Sequence, residues 1–252
     1  MSFDVAADAY DNFMGRYSRL LAIQMADLGG VERGQRVLDV GCGPGALTAE
    51  LVQRVDAGNV AAVDPSAPFV EAARARFPGA TVLQASAEHL PFPNGGFDVT
   101  IAQLVVHFMA DPVAGLIEMK RVTQAGGVVA ACVWDHSSGQ GPLSVFWRAA
   151  HQFNPKVEDE SELAGARPGH LAELFEAAGL HDLVETVVSA DLEHPTFEGW
   201  WEPFTRGVGP AGSYVAGLDA EGRDELREAC HRLLGAGPFV VPARAWAVRG
   251  LA

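Results

Sequence analysis

The chain has 252 residues, 48% hydrophobic and 20% charged, the composition of a soluble globule able to bury a core without disulfide or metal support. Thirty-two acids against eighteen Lys and Arg give a formal charge of −14. That balance opposes a surface built to grip phosphates, so no nucleic-acid partner is expected. Of the three cysteines, Cys42, Cys132 and Cys230, none forms a Cys-x-x-Cys pair, which suggests neither a disulfide framework nor a zinc site, and no metal is expected.

The N-terminus, Met1-Ser2-Phe3-Asp4, lacks the basic start and apolar run of a signal peptide. No window approaches the roughly eighteen apolar residues of a membrane span. The expected location is the cytoplasm, with no membrane partner. Over residues 5–28, Tyr10, Phe13, Met14, Tyr17, Leu20, Leu21 and Met25 recur at helical spacing, which predicts one helix ended by Gly29-Gly30. Residues 36–40 predict a short buried strand running into Gly41-Cys42-Gly43-Pro44-Gly45, and a helix follows over 46–54. A second strand over 60–63 ends at Asp64, followed by a helix over 69–77 and a third strand over 81–83. A fourth strand occupies 97–102, a helix 112–122, and Gly126-Gly127 turns into a strand over 128–134. Strands alternating with helices predict βαβ units, hence an α/β fold with a mostly parallel sheet and helices on both faces.

Beyond Asp135 the rhythm changes. Residues 136–166 mix Ser, Gly, Pro and acids around Phe146-Trp147, and the run Glu158-Asp159-Glu160 reads as a solvated loop. A helix is predicted over 168–178 and a strand over 183–190. Residues 191–242 read as an insertion, with Trp200-Trp201, a Gly-rich loop over 207–217 and a helix over 220–234. Residues 243–248 return as a last strand. With no repeat or linker, a single domain over 1–252 is expected. Its core comprises about 31–135, 168–190 and 243–252, under a cover helix over 5–28 and an aromatic-rich, mainly helical cap from 136–167 and 191–242.

A strand feeding a glycine loop and then a helix makes a nucleotide-type site, because glycine lets backbone approach a ligand and the helix N-terminus offers free N–H groups. Asp64, at the end of the second strand, stands where a carboxylate accepts from both ribose hydroxyls. These features imply an adenosine-type ligand and serve a nicotinamide dinucleotide (an NAD(P)-dependent oxidoreductase) as well as a methyl donor.

The segment Val37-Leu38-Asp39-Val40-Gly41-Cys42-Gly43-Pro44-Gly45-Ala46-Leu47-Thr48 resembles the first motif of class I S-adenosylmethionine-dependent methyltransferases of the small-molecule, type 11 kind. Three further blocks follow in that family's order. They are Ala62 to Ser66; Ala87 to Pro93 with Phe97-Asp98; and Glu118 to Val122 with Gly126-Gly127. The resemblance covers residues 31–135 and implies a Rossmann-like seven-stranded sheet, S-adenosyl-L-methionine as cofactor and S-adenosyl-L-homocysteine as product. It places Gly41, Gly43 and Pro44 at the homocysteine and ribose end, Asp64 on the ribose, Pro65, Ser86 and Ala87 beside the adenine, and Gln103 by the methionine portion. Ser86 departs from the Asp that many relatives carry there. The first helix resembles the family's cover and makes Tyr10 a candidate cofactor contact.

The implied reaction is in-line methyl transfer to a small-molecule acceptor. A hydroxyl acceptor gains from a base, and His107, four residues past Gln103, is the candidate; Asp135 and His136 lie at the same sheet edge. Trp134, Trp147 and Trp200 are candidate linings of an aromatic acceptor pocket. The same cofactor residues would equally serve a module that binds S-adenosylmethionine without transferring its methyl.

Overall fold

The apolar runs form four parallel strands, β1 (Val37–Val40), β2 (Val60–Asp64), β3 (Thr81–Gln84) and β4 (Phe97–Gln103), in a computed structural model that describes residues 7–252. β1 and β2 are buried at every position, which is why they read as continuous rather than alternating apolar sequence. Then come β5 (Thr123–Trp134) and β6 (His181–Ser189); β7 (Leu192–His194) and β8 (Phe239–Val241) pair apart as a two-stranded ribbon. β9 (Arg244–Leu251) returns antiparallel between β5 and β6. The seven-stranded order is β3-β2-β1-β4-β5-β9-β6, so the sheet is mostly parallel, as expected.

Helices cover both faces. One layer packs α2 (Gly15–Leu28) and α3 (Ala46–Val55) through Leu21, Met25, Leu47 and Leu51 onto Val37 and Ile101. The other packs α5 (Pro112–Val122) and α7 (His170–Ala177) through Leu116, Met119 and Phe175 onto Leu38 and Val40. Each such leucine or phenylalanine, fully removed from water, contributes about 1.5–3 kcal/mol. α4 (Ala67–Arg76) covers β2 and β3 through Val70 and Ala73.

The stripe expected as one helix over 5–28 is two. α1 (Ala7–Phe13) ends before Met14, and α2 starts at Gly15; Val5 and Ala6, like the Met1-to-Asp4 start, lie outside the described residues. Asp11 packs where a Cβ on Gly15 would stand (2.8 Å), and pairs with Arg76 at 2.5 Å, which holds α1 against α4. Gly126-Gly127 lies inside β5 rather than in a turn before it.

The C-terminal half holds more helix than its composition suggests. α6 (Ser144–Phe153) buries Phe146, Trp147, Ala149 and Ala150 on one face. α8 (Phe197–Trp201) carries both tryptophans, and the Gly-rich stretch expected as a loop is α9 (Gly209–Gly217). Pro210 suits its first turn, and Gly212 lets it close to 2.7 Å, measured from an added Cβ, against the Gly207 backbone. α10 (Ala220–Leu234) is capped by Asp219, whose carboxylate accepts from the Gly222 N–H at 2.9 Å. The segment 191–242 leaves and rejoins the sheet at one point, where the Ala190 N–H donates to the Ala243 carbonyl at 2.8 Å. No helix among the described residues is long and apolar enough to cross a membrane.

Candidate cofactor and acceptor site

At the carboxyl edge of β1 the chain turns through Gly41 with φ +73°, and a Cβ there would lie 2.4 Å from Val105 Cγ2. Only glycine fits a left-handed turn with that neighbour. The Gly41 and Cys42 N–H groups donate to Val63 O at 2.8 and 2.9 Å, tying the loop to β2, and Gly45 opens α3. Asp64 ends β2. Its Oδ2 accepts from the Gly43 N–H (2.9 Å) and its Oδ1 from the Ser66 N–H (2.8 Å), so the loop and the start of α4 fix the carboxylate. Burial raises its pKa. Beneath the loop Asp39 accepts from the Thr48 hydroxyl at 2.6 Å and clamps α3 to β1; burial pushes its pKa to about 7.

A cavity of ≈490 Å³ opens here. Tyr10, Gly41, Gly43, Asp64 and Pro65 line one side, and Ser86, Ala87 and Gln103 the other. The structure thus brings together eight of the nine residues expected at the cofactor. Pro44 does not line it, and its carbonyl instead accepts from Arg76 at 2.9 Å. Glu88, part of a quoted block but given no role from sequence, also lines the cavity. Burial opposes ionisation of Glu88, but backbone N–H donors at Ala110 and Asp111 and the Ser86 hydroxyl outweigh it and hold its pKa low. Ser86 therefore already has a carboxylate partner. Gln103 donates from Nε2 to Ser18 O at 2.9 Å, while its buried Oε1 has no partner among the described residues. A buried acceptor without a partner costs about 1–3 kcal/mol. The Asp64 carboxylate and Gln103 Oε1 are both acceptors, so the lining suits a ligand that donates hydrogen bonds.

Past Gln103 the backbone reverses through Leu104, a non-glycine residue at φ +62°, and a short turn over 106–108 follows. Strain of this kind clusters at functional sites. The turn directs His107 into a second chamber of ≈40 Å³ that shares Tyr10, Leu104 and Phe108 with the cofactor cavity. His107 is 6% exposed, and its Nδ1 has no partner among the described residues. Burial, with His136 nearby (ring centroids 6.2 Å), holds its pKa well below the ordinary value, so the imidazole is neutral.

Trp134 lines this chamber. Trp147 does not; its Nε1 donates to Glu160 Oε2 at 2.9 Å. Trp200 packs against Phe204 (4.7 Å) and Phe197 (5.8 Å) and faces only a void of ≈10 Å³, away from the cofactor cavity. The solvated acidic run also needs correction. Glu158 is exposed, but Glu160 is 3% exposed and lines the chamber, with burial pushing its pKa to about 7. Asp135 caps a turn through the Ser138 N–H at 3.1 Å. Among the described residues no group of three or more His, Cys, Asp or Glu could hold a metal ion.

This fold defines a Rossmann-like domain with a cavity at the carboxyl edge of its parallel strands. Residues 38–131 match the family described as a methyltransferase domain. Over that segment the chain is similar to methyltransferases. It is 36% identical over 143 residues to 2-methyl-6-phytyl-1,4-hydroquinone methyltransferase 2 of Oryza sativa subsp. japonica, covering 56% of this chain and 40% of the relative. It is 34% identical over 128 residues to the malonyl-[acyl-carrier protein] O-methyltransferase of Erwinia billingiae, covering 51% and 50%. The chain spans half or less of the length of these curated relatives. A solved Thermotoga maritima structure, described as a methyltransferase and possible histamine N-methyltransferase, superposes with a TM-score of 0.58 at 19% identity. That superposition covers 97% of this chain and 95% of the other, and it carries the fold alone.

Proposed function

We propose that the chain methylates a small molecule with S-adenosylmethionine, and that His107 is the base for a hydroxyl acceptor. The observation that carries this reading is the adjacency of two spaces: the cavity of Asp64 and Gln103 and the chamber of His107, whose buried Nδ1 has no partner among the described residues, share the lining residues Tyr10, Leu104 and Phe108. Bound S-adenosylmethionine supplies a methyl on a sulfonium, which departs as a neutral thioether when displaced in line. The protein's part is alignment, exclusion of water and proton removal. Asp64 holds the ribose through the carboxylate that Gly43 and Ser66 orient, and Gln103 Oε1 accepts from the ammonium. His107, neutral and with its own proton on Nε2, takes the hydroxyl proton at Nδ1 as the oxygen accepts the methyl. Such base assistance contributes on the order of 10²–10⁴-fold. One curated relative is named for a hydroquinone, which supports a small organic acceptor; the other is named for a malonyl group on acyl-carrier protein.

Calorimetry with S-adenosylhomocysteine and with NADH tests the cofactor, and preference for NADH refutes the reading. Labelled cofactor incubated with an acceptor panel and cell extract tests transfer. Tight binding with no product across that panel identifies a binding module instead.

A further inference from the structure

The acceptor chamber offers hydrogen-bond acceptors on two walls, and no Lys or Arg lines it among the described residues. One wall is His107. The other is Glu160, which also lines a neighbouring cavity of ≈540 Å³ with His136 and Trp147; its Oε2 is engaged by Trp147, while Oε1 stands 3.9 Å from His136 Nε2, too far for a hydrogen bond. Between them the surface is apolar and largely aromatic, formed by Phe13, Met14, Leu104, Phe108 and Trp134.

We propose that Glu160 is the specificity-determining residue of this site, and that the acceptor is an uncharged aromatic molecule with two hydroxyls. One hydroxyl donates to His107 and receives the methyl; the other donates to Glu160 Oε1. This rests on the methyltransferase reading of the same site.

Flat aromatic walls favour an aromatic body through edge and face contacts. Above pH 7, where Glu160 is ionised and can only accept, a ring bearing a methoxy group in place of the second hydroxyl leaves Glu160 buried against an acceptor oxygen, and sites built for a hydroxyl reject analogues lacking it strongly. A carboxylate in that position would set two anions together in a desolvated space. The chamber itself, ≈40 Å³, has room for a hydroxyl and the edge of a ring, with the ring body toward the shared wall of Tyr10, Leu104 and Phe108.

The probes are catechol, resorcinol and hydroquinone, each with its monomethyl ether, the matching hydroxybenzoate and the matching aminophenol. Binding to the protein saturated with S-adenosylhomocysteine is measured by calorimetry, and methyl transfer with labelled cofactor. One diol isomer is expected to bind at least about tenfold tighter than its ether, the difference of one buried donor, and the hydroxybenzoate weaker still. Glu160→Gln sharpens the test. Its amide oxygen remains for the Trp147 N–H, so its amide N–H₂ faces the chamber and the preference inverts toward the ether. A residue serving only to anchor Trp147 would leave the diol-to-ether ratio unmoved. The assignment is overturned by equal affinities for diol and ether, by an unchanged ratio in Glu160→Gln, by tighter binding of an aminophenol, or by no diol binding at millimolar concentration. Failure to bind S-adenosylhomocysteine would instead overturn the cofactor reading beneath it.

Discussion

Replacing Glu160 by Gln should stabilise the folded chain, and only at neutral and alkaline pH. Burial raises the Glu160 pKa from 4.5 to about 7, with Asp159 beside it adding to the rise and the Trp147 N–H opposing it. An acid whose pKa is raised by folding keeps its proton in the folded chain across that window, while the unfolded chain has lost it. Unfolding therefore releases a proton, and stability falls as pH climbs from 4.5 to about 7. At about 1.4 kcal/mol per pH unit the loss sums to about 3 kcal/mol. Glutamine keeps the bond to Trp147 and has no charge to desolvate, so the variant does not share that loss. For a chain of this size, about 3 kcal/mol corresponds to a rise of roughly 6–12 °C in Tm. The groups facing the carboxyl, Trp147, His136 and Asp159, remain in both proteins, and contributions from Asp39 and Asp64 cancel in the difference. Thermal melts followed by circular dichroism from pH 5 to pH 8 read this directly. A Tm difference identical at both ends, or a variant less stable at pH 8, would refute the reasoning.

Asp64→Ala removes the acceptor of the Gly43 and Ser66 N–H groups and the expected ribose contact. Calorimetry should show S-adenosylhomocysteine affinity falling by on the order of 1–3 kcal/mol, and an unchanged Kd would remove Asp64 from the site. Gly41→Ala combines a positive φ with a Cβ 2.4 Å from Val105, whereas Gly30→Ala, at φ +64° with nothing within 4 Å, meets only the conformational penalty. Urea denaturation should place the Gly41 variant below the Gly30 variant by about 1–3 kcal/mol; equal losses would show that Val105 yields. His107→Ala should cut turnover by about 10²–10⁴ while leaving cofactor affinity intact, and full activity would make His107 a packing residue. Because burial holds the His107 pKa well below its ordinary value, wild-type turnover should be flat from pH 6 to 8 and fall only in more acid solution.

What the sequence makes legible is what is local. The glycine loop and Asp64 lie one βα unit apart, and the backbone demands of that unit are written into consecutive residues. α10 coincides with its expected span of 220–234 because Asp219 caps it and its apolar face keeps one period. Glu160 was illegible. An acid beside Glu158 and Asp159 carries no local sign of burial, and it is buried only because Trp147, thirteen residues earlier, turns its N–H onto it. Trp200 misled for the converse reason: paired tryptophans look like a pocket, yet Phe197 and Phe204 absorb them. The helix spanning 209–217 was hidden among glycines of two kinds: Gly207 and Gly209 turn the chain at positive φ, while Gly212 serves close packing inside the helix. Glu88 lay within a recognised block, and only the fold shows that its carboxylate meets the Ser86 hydroxyl.

The bond between Ala190 and Ala243 has an evolutionary reading. A stretch of chain that departs and returns at one hydrogen-bonded point can vary as a unit within the limits its packing sets: Phe197, Trp200 and Phe204 share a buried cluster with Val37 and Ile101, and the Tyr17 hydroxyl meets His194. Its Val208-to-Ala211 portion walls the acceptor chamber, while Asp64 and Gln103 belong to strands outside it. Exchange of residues 191–242 between relatives would then rewrite one wall of the His107 chamber while the proposed methyl-donor cavity kept its residues.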